Sequence, residues 1–217
     1  MNKQTIIKAG ALVFLLTIIC SAALTLFLVY TLPFNSSSDT RQHQPDLTKL
    51  SIGDLVFRMG TVTDSKVIAY ASDSRYSHIG VVVETTPQIM VVHATTSDHE
   101  ETPDQVLYSP ISDFWSYEQA QSGAAARISF LSDDEKQQLA QALKTHIGEK
   151  FLLDTRENPH LYCSTLIYDE LVKIHPEFSL EWKKIELPVV RGEYLFPQNF
   201  LDHKAIIITD EFTFTKK

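Results

Sequence analysis

The chain has 217 residues, 44% of them hydrophobic, and its 27 acidic side chains outnumber its 19 lysines and arginines to give a net charge of −8. This acidic balance argues against a nucleic-acid partner, because binding to phosphates requires clustered Lys and Arg side chains. The length suits an N-terminal segment followed by one domain with an ordinary hydrophobic core.

The N-terminal quarter of the chain predicts a membrane anchor and a tether. Two lysines in residues 1–8 precede an uncharged apolar run over 9–32, and a bilayer-spanning helix needs about 20 apolar residues. A cleaved signal peptide is the alternative, although signal h-regions usually have about 7–15 residues. We predict a cytoplasmic N-terminus, a single transmembrane helix over 9–32 in the inner (cytoplasmic) membrane, and a flexible polar linker over 33–48. The domain over 49–217 is then periplasmic or otherwise extracytoplasmic.

The first part of the domain predicts strands. A turn leads into a short apolar strand over 52–57, and β-branched runs predict strands over 76–84 and 89–94. The turn between the last two runs predicts a hairpin, which brings His78 within reach of His93. The polar residues that follow, up to about residue 108, predict a loop over the sheet.

The second part of the domain predicts helices and two more strands. A capping box at Ser132 and Glu135 opens a helix that ends at Gly148. The spacing of apolar residues after Cys163 predicts a second helix that ends before Pro176. The other predicted segments are a strand over 125–130, an irregular stretch over 177–200 and a closing strand over 205–209. This order predicts an α+β fold with an antiparallel sheet packed on helices.

Cys163 is the candidate nucleophile. It is the only cysteine outside the apolar N-terminal run, so the exported domain cannot form an internal disulfide. At the start of a helix, unpaired backbone N–H groups and the helix dipole favour a thiolate. His78 is then the base that takes the thiol proton, and His93 is the group that orients the base. The alternative interpretation of a lone cysteine is a small buried core residue.

The oxyanion of the reaction needs hydrogen-bond donors. The backbone N–H of Cys163 supplies one. The sequence leaves the second open between Tyr162 and a group of Ser77 or Tyr76.

Four short motifs resemble the circularly permuted papain-like hydrolases of the NlpC superfamily, and the YiiX/YaeF-like branch in particular. They are Gly53-Asp54-Leu55-Val56-Phe57, Tyr76-Ser77-His78-Ile79-Gly80, Val92-His93-Ala94 and Tyr162-Cys163-Ser164-Thr165-Leu166. The resemblance implies a permuted papain-like fold over about 50–205 and amidase-type chemistry, with Cys163 as nucleophile, His78 as base and His93 as the third polar residue. Several relatives have Glu at this last position.

The resulting hypothesis is a membrane-anchored extracytoplasmic cysteine hydrolase that cleaves amide bonds through a thioester, with cell-wall peptide as a candidate substrate. A lipid amidase, thioesterase or acyltransferase is the alternative within enzymes. We expect no cofactor and no metal, although His78, His93 and Cys163 as three zinc ligands form a further alternative. The last alternative is a non-catalytic binding domain on a membrane stalk.

Overall fold

The computed structural model describes three stretches of the chain, residues 44–96, 103–186 and 191–214. The predicted N-terminal segment, transmembrane helix and most of the linker lie outside these residues. No helix within the described stretches is long and apolar enough to cross a bilayer. Residues 44–48, which the sequence assigns to the end of the linker, lie against the folded domain, where the Asp46 backbone N–H donates to Asp210 Oδ2 at 2.9 Å.

Eight strands, five α-helices and one short 3-10 helix (Leu47–Lys49) account for the secondary structure of the described residues. The strands are β1 (Leu55–Gly60), β2 (His78–Glu84), β3 (Met90–Thr95), β4 (Gln105–Pro110), β5 (Ala120–Ile128), β6 (Lys183–Glu186), β7 (Arg191–Tyr194) and β8 (Ile206–Thr213). The helices are α1 (Thr63–Ser72), α2 (Ile111–Phe114), α3 (Asp133–Lys144), α4 (Cys163–Ile174) and α5 (Pro197–Leu201).

Six of these strands form one sheet in the order β4-β3-β2-β1-β5-β8, and every pair in it is antiparallel. The α+β class and the antiparallel sheet are therefore confirmed. Strand β4 is a correction, because the sequence predicts a loop and a turn where this edge strand forms. The hairpin of β6 and β7 corrects the prediction of an irregular stretch over 177–200.

The two faces of the sheet pack against different groups of side chains. Alternate residues of β1 and β2, such as Leu55 and Val81, join Leu143 of α3 and Ile167 of α4 in the larger core cluster. The residues between them, such as Val82, face a smaller cluster around α2. This alternation follows from the period of two along a strand, and it gives the sheet an apolar face against which α4 packs.

Candidate active site

Helix α4 begins at Cys163, as the sequence predicts. The start of the helix is fixed by Tyr162, whose backbone N–H donates to Thr165 Oγ1 at 3.0 Å. The Tyr162 hydroxyl accepts the backbone N–H of Leu195 at 2.9 Å. Both polar groups of Tyr162 therefore hold the local fold, and the thiol that follows is held at a defined position.

The thiol of Cys163 contacts the first residues of β2. The pairing between β2 and β3 begins at Val81 and Val92, so the residues of β2 before Val81 are not paired with β3. There the backbone N–H of Ile79 donates to Cys163 Sγ.

Burial raises the pKa of the Cys163 thiol above its ordinary value. Hydrogen bonds from Ser164 and from the Ile79 N–H, together with the positive charge of Arg58, act in the opposite direction but do not outweigh it. The expectation that the helix N-terminus favours a thiolate is therefore wrong for the resting protein. Desolvation disfavours the charged form of the thiol, and this effect exceeds the hydrogen bonds and the positive charge that favour the thiolate.

A chain of hydrogen bonds joins the two predicted histidines. His78 Nε2 lies 2.8 Å from His93 Nδ1, and His93 Nε2 lies 3.1 Å from Ser109 Oγ. His93 is fully buried and His78 is 9% exposed. The hairpin of β2 and β3 therefore brings the two rings together as the sequence predicts.

The proton positions in this chain decide whether His78 can act as a base. Each neutral imidazole carries one proton, so the two contacts admit two arrangements. In one of them His78 Nε2–H donates to His93 Nδ1 and His93 Nε2–H donates to Ser109 Oγ. That arrangement leaves the His78 Nδ1 lone pair available to accept a proton, which is what a general base requires.

His78 is held in its neutral form. Burial lowers its pKa well below the usual range, and the positive charge of Arg58 and the His93 ring lower it further. The thiol and the imidazole are not hydrogen-bonded to each other. The ordinary values of 9.0 and 6.5 already separate the two groups, so moving the thiol proton to the imidazole at rest costs at least about 3 kcal/mol before their mutual attraction is counted. Both groups are consequently uncharged in the resting protein.

Two further residues complete the surroundings of His78, and sequence reasoning missed both. Arg58 is the cross-strand partner of His78, and its Nη1 donates to the Phe114 carbonyl at 3.2 Å. The Phe114 ring lies against both imidazoles, with centroid distances of 5.6 Å to His78 and 5.1 Å to His93. Arg58 directly follows the first motif, and the pairing of β1 with β2 places it opposite His78.

Ser109 is also a residue that the sequence did not mark, because it lies in a segment predicted as a turn. Of the candidate oxyanion residues, Ser77 lies at the cavity and Tyr76 does not. Ser77 lines the cavity at Cys163, and its Oγ accepts the Gly60 N–H at 3.0 Å. Tyr76 donates its hydroxyl to Glu211 at 3.1 Å and is not among the lining residues of the two cavities described below.

Two cavities meet at Cys163. The first has a volume of about 420 Å³ and is lined by Cys163 and His78 together with polar side chains that include Arg58 and Ser77. The second, of about 190 Å³, is walled almost entirely by apolar residues such as Leu153. The thiol thus lies between a larger compartment of mixed polarity, whose wall also includes Val62 and Phe151, and a smaller apolar compartment.

No known family model matches the sequence, and no curated protein matches it either. Among solved structures, the fold is similar to that of the metalloprotein YiiX from Escherichia coli O157:H7, with a TM-score of 0.60. The sequences are 21% identical, and the match covers 74% of this chain and 97% of that chain. The domain therefore has a YiiX-like fold. Identity at this level speaks for the fold alone, so the roles of the site residues rest on their geometry.

Proposed function

We propose that the protein is a membrane-anchored extracytoplasmic cysteine hydrolase of the permuted papain-like type, which cleaves amide bonds with Cys163 as nucleophile. The observation that carries the proposal is that one cavity contains both the thiol and His78, while His78 is oriented by His93 at 2.8 Å. A nucleophile, a base and a third group that orients the base form the minimal set for covalent acyl transfer.

In the first half of the reaction, Cys163 Sγ attacks the carbonyl carbon of the amide while its proton moves to His78 Nδ1. The carbon–nitrogen bond then breaks, the same proton passes to the leaving amine, and a thioester remains on Cys163. In the second half, His78 accepts a proton from water, and the resulting hydroxide attacks the thioester. The carboxylic acid leaves and the proton returns to the sulfur, so the protein is restored.

Stabilisation of charge in the transition state comes from groups that surround the sulfur. The oxyanion is formed beside the first turn of α4, where the backbone N–H of Cys163 has no intrahelical acceptor. The imidazolium that forms on His78 keeps its hydrogen bond to His93, which holds the ring in place while it is charged. Arg58 adds positive charge near the thiolate and opposes a long-lived imidazolium. The charged state is therefore confined to the reaction itself.

The larger cavity, which has Arg58 and Ser77 in its wall, supports a peptide-like amide, such as a cell-wall peptide, as substrate. A second candidate function, hydrolysis or transfer of a lipid acyl group, is favoured by the apolar cavity of about 190 Å³ beside the same thiol. In that case the acyl chain would occupy the apolar compartment and the leaving group the larger compartment of mixed polarity. The two candidates share the chemistry at Cys163 and differ in the acyl group that is accepted.

A metal centre is the alternative that the description of YiiX as a metalloprotein brings into consideration. The donor set of the present chain does not fit a three-ligand zinc site, because one nitrogen of His78 and both nitrogens of His93 contact other protein atoms. In the described stretches, no three His, Cys, Asp or Glu side chains are grouped as metal ligands would be. The proposed reaction therefore contains no step at a metal.

The test uses the full chain in detergent and p-nitrophenyl acetate, an activated ester that reports acyl transfer to any competent thiol. We expect intact-mass spectrometry to find one acetyl group on Cys163, absent from Cys163→Ala and formed at least about tenfold more slowly in His78→Ala, as for loss of a general base. Failure of Cys163 to acylate would refute the hydrolase and favour a binding domain.

Amide substrates separate the two candidate functions. Short peptide amides and long-chain acyl amides are compared with the wild type and with Phe196→Asp, which places a charge in the wall of the apolar cavity and does not touch the other one. Selective loss of the long-chain reaction would favour the lipid substrate. Unchanged preference would favour the peptide.

A further inference from the structure

The opening of the Cys163 cavity is bordered by exposed apolar side chains. Val62, Val67 and Leu153 all line this cavity, yet they are 61%, 58% and 57% exposed. Tyr70 lies about one helical turn after Val67 on α1 and is 92% exposed. We call these four side chains the apolar rim.

The composition of α1 is unusual for a helix on a water-facing surface. Such helices place polar residues on the side away from the core, and here Ala69 faces the core while Val67 and Tyr70 face outwards. A group of exposed apolar residues around a cavity marks a surface that contacts something other than water. Tyr is moreover a side chain that membrane proteins place at the boundary between lipid and water.

The path of the chain points to what covers the apolar rim. The first described residue, Gln44, donates through its side chain to the Tyr117 hydroxyl at 3.4 Å. The next residue, Glu118, accepts the hydroxyl of Thr61 with its carbonyl, and Thr61 is the neighbour of Val62. The chain therefore enters the domain on the side that carries the rim.

The segment that precedes Gln44 is short. Residues 33–43 separate it from the uncharged apolar run 9–32, and eleven residues span at most about 40 Å when fully extended. If the apolar run crosses a bilayer, the entry point of the chain, and with it the rim, is kept close to that bilayer.

We propose that the apolar rim inserts into the lipid headgroup region of the membrane, so that the Cys163 cavity opens towards the bilayer surface. The proposal rests on the membrane anchor of the proposed function and goes beyond it, because an anchored domain can equally face away from the lipid. The lipid surface is the occupant that the exposed aromatic and aliphatic side chains fit. Docking also gives the hydrolase access to material held at that surface.

The experiment places a fluorescent reporter on the rim of the full chain. The native cysteines are changed to serine (Cys20→Ser, Cys163→Ser), and Tyr70→Cys is labelled with an environment-sensitive nitrobenzoxadiazole dye. Tyr70 does not line the cavities at Cys163, so the label does not occupy them. Gln138→Cys on the exposed side of α3 is the matched control. Each protein is reconstituted into vesicles of phosphatidylcholine and phosphatidylglycerol with and without doxyl-labelled lipid.

We expect the label at Tyr70 to shift to shorter wavelength and to be quenched by doxyl lipid at least about threefold more than the label at Gln138. Adding Tyr70→Asp to a Val62→Cys reporter should reduce its quenching, because a charge in the rim disfavours insertion. These results would support the proposal.

Flotation of the protein together with the vesicles after an alkaline wash separates the hypothesis of a membrane anchor from the hypothesis of rim docking. Flotation with equal, weak quenching at both sites would overturn rim docking and leave the anchor intact. The label at Tyr70 could instead be shielded from water but insensitive to doxyl lipid, with a shielding that grows as the protein-to-lipid ratio is raised. This result would overturn docking to lipid and indicate that a second copy of the protein covers the rim. Loss of flotation would overturn both the anchor and the docking.

Discussion

The hydrogen-bond chain behind His78 gives the sharpest prediction for catalysis. His93→Leu keeps a similar volume in a fully buried position but removes the contact of 2.8 Å to His78 Nε2. An N–H left there without an acceptor costs about 1–3 kcal/mol. The ring can avoid this cost by moving its proton to Nδ1, and it then loses the lone pair that accepts the thiol proton.

The magnitude follows from that cost. A free-energy difference of about 1–3 kcal/mol between the two tautomers lowers the fraction of base-competent His78 by about 5- to 150-fold. Ser109→Ala removes one neutral contact of 3.1 Å, which is worth about 0.5–1.5 kcal/mol. It should therefore reduce the rate by only about 2- to 12-fold. Both losses should appear in kcat, because neither residue is expected to bind the substrate.

The assay measures the acetylation rate of Cys163 by p-nitrophenyl acetate, with thermal unfolding of each variant alongside. His146→Leu is the matched control, because His146 also makes two side-chain hydrogen bonds, to Glu149 and Glu170, but does not line the cavities at Cys163. We expect it to lower stability and to preserve the acetylation rate. Acetylation by His93→Leu at the wild-type rate, in a folded protein, would refute the orienting role of His93.

Three further predictions concern the charges of the domain. The rate at which iodoacetamide alkylates Cys163 should continue to rise with pH beyond 9.0, the ordinary pKa of the thiol, because burial raises this pKa; a plateau near neutral pH would contradict an uncharged resting site. Asp54→Asn should lower the free energy of unfolding by about 2–3 kcal/mol, since the fully buried carboxylate holds Arg127 through two contacts of 2.9 Å, and urea unfolding that shows less than about 0.5 kcal/mol would disprove this. Burial lowers the pKa of His146, but its hydrogen bonds to Glu149 and Glu170 outweigh this effect and raise the pKa overall. The contribution of His146 to stability is therefore present below about pH 6.5 and is lost as the pH rises through the folded-state pKa. The difference in unfolding free energy between wild type and His146→Gln should shrink from pH 5.5 to 8.5, and a constant difference would contradict this sign.

The sequence predicted the parts of the site that depend on local pattern. Cys163 begins a helix because apolar residues follow it at helical spacing, and His78 and His93 meet because two β-branched runs flank a short turn. These features are determined by residues close in the chain, so periodicity detects them.

Other parts depend on distant pairing, and the sequence did not predict them. Ser109 belongs to β4, whose last two residues, Ser109 and Pro110, are typical of a turn, and the pairing of β4 with β3 makes this segment a strand. The hairpin of β6 and β7 contains mostly charged and partly exposed residues, so it has no apolar alternation to detect. Arg58 enters the site because the β1–β2 register places it opposite His78, and register is a property of the folded sheet.

The wrong expectation about the thiolate has a functional consequence. The helix start is only one influence on the thiol, because Cys163 is also partly buried and burial raises the pKa of its thiol. A neutral thiol reacts slowly with oxidants, because the thiolate is the reactive form. In the extracytoplasmic location that we propose, an exported domain with a single cysteine would otherwise be exposed to oxidation. Keeping both Cys163 and His78 uncharged until a substrate carbonyl is present protects the nucleophile, and the hydrogen-bond chain through His93 keeps the base ready for it.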